Sequence, residues 1–203
     1  MPVSAQFKRY ASYTVGMILL AIGLTLTAQT HLGTSPLTSV AYVLAEYTHN
    51  TFSNMTLLMF TLFVLAQIAL AGKPTARKTA ELLLQIPLSL VFTRVMGAVQ
   101  RFVDLSGCTL PVRLFCLFLA GVGAAMTLQA RLIPNPGDGI VQALSIFLNK
   151  PIGQCKNVFD IINVIFAAVL SYGLLGRLVG VGIGSVLCML GVGRVIALCN
   201  WYR

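Results

Sequence analysis

The sequence predicts an all-α integral membrane protein of about six transmembrane helices, built as two three-span inverted repeats that each carry an additional short helix. Three observations lead there. The 203-residue chain is 57% hydrophobic and only 9% charged, whereas a soluble domain needs roughly a quarter charged residues to face water. Six apolar stretches approach or exceed the roughly 20 residues that cross the hydrocarbon core of a bilayer. The second half of the chain also repeats the first at a fixed offset of 100 positions.

The elements follow in order. The first span covers 12–30. Lys8 and Arg9 ahead of it resemble the basic start of a signal peptide. The apolar run is long, no clear small-x-small cleavage site follows, and residues 19–36 have an internal counterpart, so the segment is expected to stay in the fold. A short apolar segment, 35–48, comes next. It opens with Ser35 as N-cap and Pro36 at the first helical position, and Val40, Ala41, Leu44 and Tyr47 recur at helical spacing. Some 13 residues at about 1.5 Å each reach only ~20 Å, too short to cross. Spans 55–72 and 80–99 complete the first half. The second half has a span at 112–130 and a short segment at 135–148 that opens with Asn135 and Pro136. Spans 157–175 and 178–199 follow. The short segments are either re-entrant half-helices or amphipathic helices lying at the interface. No soluble domain or long linker is left over. Residues 1–203 therefore read as one membrane domain, with repeats at about 11–100 and 111–200.

The repeat is carried by AIGLTLTAQTHLGTSP (21–36) aligned without a gap on GVGAAMTLQARLIPNP (121–136). Gly23, Thr27, Gln29 and Pro36 meet Gly123, Thr127, Gln129 and Pro136, and further along Arg77 meets Arg177 and Arg94 meets Arg194. Leu-on-Leu matches mean little in membrane helices; coincident Gln, Pro and Arg mean more. A unit of three spans repeated in tandem must enter the membrane from the opposite side the second time, as in many secondary transporters.

The formal net charge of +9 does not collect on one basic face, which argues against nucleic acid. Lys and Arg sit between spans, as topology-setting charges do. With the N-terminus in the cytoplasm, Lys8, Arg9, Lys73, Arg77, Lys78, Arg131, Lys150, Lys156 and Arg203 fall inside, and only Arg101, Arg113 and Arg177 outside. Both termini are therefore expected in the cytoplasm. The five cysteines form no CxxC pair and have no His at metal-ligand spacing. They read as small apolar residues, and no metal or other cofactor is expected.

The pattern Gly-x3-Thr-x-Gln-x2-Leu-x3-Pro before a short helix resembles the YczE/YyaS/YitT family of bacterial membrane proteins. So do Pro136-Gly137-Asp138-Gly139, Asn149-Lys150-Pro151-Ile152-Gly153 and the run Gly180-Val181-Gly182-Ile183-Gly184-Ser185. The likeness covers essentially the whole chain. It implies a bacterial inner-membrane protein of poorly defined role, without the soluble C-terminal domain that some members carry. It supplies no catalytic residues.

Ionisable groups inside a membrane are costly and mark function more often than not. Asp160 shares a helical face with Asn157 and Asn163, a pattern that suits a polar pathway; the competing reading is a structural partner for Lys156 or an Arg. Arg94 and Arg194 either snorkel to headgroups or face inward to fork a carboxylate or phosphate. Gln29 and Gln129 either bind substrate or bridge helices. Pro36, Pro136 and Asp138 mark the starts of the short helices, where Asp138 also complements the helix dipole. Gly176, Gly180 and Gly184 are expected to give the sixth span a smooth packing stripe. No Ser/His/Asp, Cys/His or metal constellation is visible, so an enzyme is not expected. The expectation is a small transporter or permease for a small polar metabolite, an anion included, with its site at the repeat interface. The alternative is a non-transporting regulator that binds a protein or a lipid. Self-association into a homo-oligomer is compatible with either.

Overall fold

The computed structural model describes residues 3–30, 32–72, 75–105 and 107–189. The helices run in the order α1 (Val3–Gln29), α2 (Pro36–Thr48), α3 (Phe52–Ala71), α4 (Ala76–Phe102), α5 (Leu110–Ala130), α6 (Pro136–Leu148) and α7 (Ile152–Leu175). A further helix starts at 183 and is described as far as 189. Among the described residues no strand occurs, and α1, α3, α4, α5 and α7 are long and apolar enough to span a membrane.

The short segments form helices of 13 residues each, beginning at Pro36 and Pro136 and both ending on a residue in the left-handed conformation, His49 and Asn149. Asn135 caps α6 by accepting from the Gly137 N–H, while the Ser35 side chain makes no cap bond. The predicted sixth span, 178–199, lies outside the described residues beyond 189 and differs where it is described. Gly176 and Gly180 have φ of +65° and +75°; the first ends α7 and the second lies in an irregular segment. The helix starts only at 183, so the three glycines do not form one stripe.

The packing follows the rules of a lipid solvent. Leu58, Leu62 and Leu65 on α3, Phe115 and Phe118 on α5, and Ile161, Ile162 and Ile165 on α7 are exposed. The interior holds, with large side chains such as Phe60, Leu82 and Met96, many small and polar residues such as Thr25, Thr27, Thr38, Ser39 and Ser171 beside Ala21, Ala41 and Ala120. Lipid is as apolar as leucine, so helices gain by close approach of small residues and by internal hydrogen bonds. Buried threonines return their hydroxyl protons to the helix, as Thr25 does to the Ala21 carbonyl at 2.8 Å and Thr27 to Gly23 at 2.7 Å.

At the centre α1 lies against α5. A Cβ on Gly23 would strike the backbone of Ala120, one on Gly123 the backbone of Leu20, and one on Gly16 the Met126 side chain. Ascending α1 therefore means descending α5: the two helices are antiparallel. Arg9 near the start of α1 accordingly donates to the Ala130 carbonyl at the end of α5. Around this pair α2 packs on α3 and α7, α6 packs on α3 and α7, and α4 packs on α1 and α3. The N-terminal turns of α2 and α6 meet, Leu37 standing against Gly137. Their other ends point apart. Glu46 near the end of α2 pairs with Arg177, just past the end of α7, at 3.0 Å, whereas α6 runs into the start of α7. Both short helices bury their first turns and expose their last residues.

Candidate functional site

A cavity of about 320 Å³ lies where the two short helices meet. Five pairs of lining residues stand 100 positions apart: Leu20 and Ala120, Leu24 and Ala124, Ser35 and Asn135, Thr38 and Asp138, Phe60 and Asp160. α1 and α5 form one wall because their glycines let the backbones close up. The first turns of α2 and α6 form a second. From this centre the cavity extends along the second half only, past Leu128, Gln142 and Ile152 to Gly153 and Asn157, which are exposed at the start of α7. The first-half counterparts of Leu128, Gln142 and Ile152 are Ala28, Tyr42 and Phe52. They line a separate recess of about 130 Å³ with Gln29, Gln100 and Asp104, where Tyr42 and Phe52 pack edge to face at 5.6 Å.

Among the described residues, the cavity's charges come from the second half alone. Lys156 Nζ holds Asp160 Oδ1 at 2.8 Å, one helical turn along α7, with the carboxyl side chain 6% exposed and the lysine 31%. Asp138, in the first turn of α6, lines the same cavity; its backbone N–H donates to the Asn135 carbonyl at 2.9 Å, while its carboxyl makes no hydrogen bond or ion pair with the described residues. First-half positions equivalent to Asp138, Lys156 and Asp160 are Thr38, Thr56 and Phe60. The start of α6 favours the Asp138 anion by at most about 2 kcal/mol. An unpaired ion removed from water costs several kcal/mol. The walls around Asp138 are largely apolar, supplied by Leu20, Leu24, Phe60 and Val141.

Of the residues singled out in the sequence, Pro36, Asp138, Asn157 and Asp160 come together on this cavity. Asp160 lines the cavity and is paired with Lys156. Asn163 lies buried behind it, donating to the Phe159 carbonyl at 2.8 Å. The matched glutamines do not meet. Gln29 donates to the Val103 carbonyl at 2.7 Å, its Oε1 buried without a partner, and Gln129 is half-buried away from the cavity lining. Arg94 is exposed on α4 and does not line the cavity, so it forks no anion there; Arg194 lies outside the described residues.

The sequence reading missed a glutamine pair. Gln67 Nε2 donates to Gln85 Oε1 at 3.0 Å and Gln85 Nε2 to Gln67 Oε1 at 3.1 Å, with both residues buried. Gln67 also reaches the Pro136 carbonyl at 3.3 Å, tying α3 and α4 to the first turn of α6. The signal was present as two amides inside apolar spans, where an unpaired amide is costly.

Compared with known families, the chain matches DUF6198, described as a family of unknown function, over residues 7–201. No curated protein and no solved structure matches it.

Proposed function

This chain belongs to the family of unknown function DUF6198, and we propose that it is a small secondary transporter that binds a small polar metabolite between two inverted halves. The observation that carries the proposal is the cavity centred on repeat-matched residues where two short helices present their first turns. Transporter sites lie at such repeat interfaces, beside half-helix N-termini.

The packing supports inversion. Exchanging the halves turns the contact of Leu20 with Gly123 into that of Gly23 with Ala120, and the packing of α2 on α7 into that of α6 on α3. Leu37 and Gly137, in contact, are each other's counterparts. In this reading α2 and α6 are re-entrant, one from each face. Access to the cavity is one-sided: the arm past Gln142 and Ile152 is open, while the equivalent path is filled by Tyr42 and Phe52. Transport exchanges these two states between the halves. The open side carries Arg9, Arg131 and Lys150, so the positive-inside rule assigns it and both termini to the cytoplasm of a bacterial inner membrane. The likeness to the YczE/YyaS/YitT family agrees with a membrane role and names no substrate.

The test is uptake by purified protein in liposomes, screened with a broad set of small polar metabolites. The expected outcome is saturable uptake of at least one compound, lost when Ala124→Trp fills the cavity. Uptake that survives Ala124→Trp in folded protein, or no uptake of any compound with or without an ion gradient, sinks the proposal.

A further inference from the structure

We infer that the cavity takes an organic ammonium ion with an apolar body, and that Asp138 accepts it in exchange for a proton. This rests on the reading of the cavity as a ligand site, and adds the ligand's charge and the coupling.

Two carboxyl groups and one lysine face the cavity among the described residues. Lys156 is committed to Asp160 at 2.8 Å. Asp138, on α6, faces the same cavity, and its carboxyl is in no hydrogen bond or ion pair with the described residues, so a single lysine serves two carboxyls. With all three groups ionised the formal sum is one positive against two negative, a deficit of a single positive charge. When the cavity is empty a proton on Asp138 fills that deficit, since desolvation disfavours the anion. An ammonium ion fills it equally, and its carbon body meets Leu20, Leu24, Phe60 and Val141. Other groups about Asp138 do not supply the charge. From α7 come Lys156, Asp160 and the neutral Asn157, and from the helix starting at 183 comes Cys188. α3 presents Gln67, and α2 presents Ser35, Leu37 and Thr38, none of which titrates in the working range. The exchange balances: the carboxyl O–H bond breaks, its proton leaves to water, and the ammonium takes its place against the carboxylate. No electrons move.

The position of Lys156 gives the inference its sharpest consequence. For a cationic ligand this lysine is a competitor; for an anionic ligand it is the anchor. The experiment uses the full chain in detergent with hexylammonium and benzylammonium as probes, and hexanoate and benzoate as controls. Binding is read by thermal shift, because a ligand of the folded state raises its stability. Proton release is read with an indicator dye in weak buffer between about pH 6 and about pH 8. The ammonium ions are expected to bind while releasing close to one proton each. Their affinity rises toward tenfold per unit of pH while Asp138 is protonated, as one-proton linkage requires. Asp138→Asn weakens binding at least tenfold and removes its pH dependence, and Lys156→Met tightens it. Should Asp138→Asn fail to fold, the direction of change in Lys156→Met decides. Binding of the carboxylates instead, lost in Lys156→Met, overturns this inference and leaves the cavity as a ligand site. Cation binding without proton release overturns the exchange. If neither series binds while another compound is taken up by liposomes, the cation inference falls and the transport reading stands.

Discussion

Gln67 and Gln85 show how a polar residue survives inside a lipid-facing bundle. Each amide donates to the other's carbonyl, so four of the groups most costly to bury satisfy one another, and the spare N–H of Gln67 reaches Pro136. Gln67→Leu leaves the Gln85 amide buried and unmet. It is expected to lower stability by about 1–3 kcal/mol, read as an earlier thermal transition in detergent. The double variant Gln67→Leu/Gln85→Leu should recover most of that loss, because no amide then remains to satisfy; equal and additive losses would show that the pair does not act as a unit. This pairing was not legible in the sequence. Each glutamine is visible as an amide in an apolar span, but their meeting depends on the register between α3 and α4. Asp160 was legible, since a carboxylate in a span draws notice and its Lys156 partner is one helical turn away. For Arg94 the sequence left two readings open, lipid-facing and inward. Repeat matching says that two arginines are equivalent, and says nothing of which helix face meets lipid.

α1 and α5 make the tightest joint among the elements. Their glycines replace side chains with backbone contact, the route by which helices associate where the solvent itself is hydrocarbon. Gly123→Leu forces atoms into the Leu20 backbone, which cannot yield as a side-chain tip would. A destabilisation at or above the usual overpacking range of about 1–3 kcal/mol is expected, with loss of ligand binding as the cavity wall shifts. Gly173→Leu is the control. A Cβ there meets nothing within 4 Å, and thermal stability should hold or rise, since glycine is a poor helix former. A drop in the control equal to that of Gly123→Leu would remove the close-approach argument. The short helices illustrate the limits of capping rules. Asn135 and Ser35 hold equivalent positions ahead of proline, yet only Asn135 closes a cap bond. Residue type permits a cap, and the local geometry of the entering chain decides whether it forms.

For the whole molecule the inverted reading makes a topological prediction. His49 and Asn149 end the two short helices at equivalent positions, and α7 separates them: the first lies near its end, by the Glu46–Arg177 pair, and the second near its start. In a variant with the five native cysteines replaced, His49→Cys should react with a membrane-impermeant maleimide added outside intact cells. Asn149→Cys should react only after the membrane is opened. Labelling of both from one side would overturn the inversion, whatever the fate of the transport proposal.

Composition and periodicity by themselves determined that the chain carries membrane-spanning helices and where five of these and the two short helices lie; the repeat at an offset of 100 is a property of the sequence alone. These follow from local quantities: apolar length, a proline after a capping residue, and a repeated string are properties of neighbouring residues. Tertiary structure alone decided which polar groups share a cavity, that Asp138 stands unpaired while Asp160 does not, and that Gln29 and Gln129 lie apart. Those facts depend on helix rotation and register. In a hydrocarbon solvent the apolar pattern constrains rotation weakly, because leucine is stable on either side of the helix.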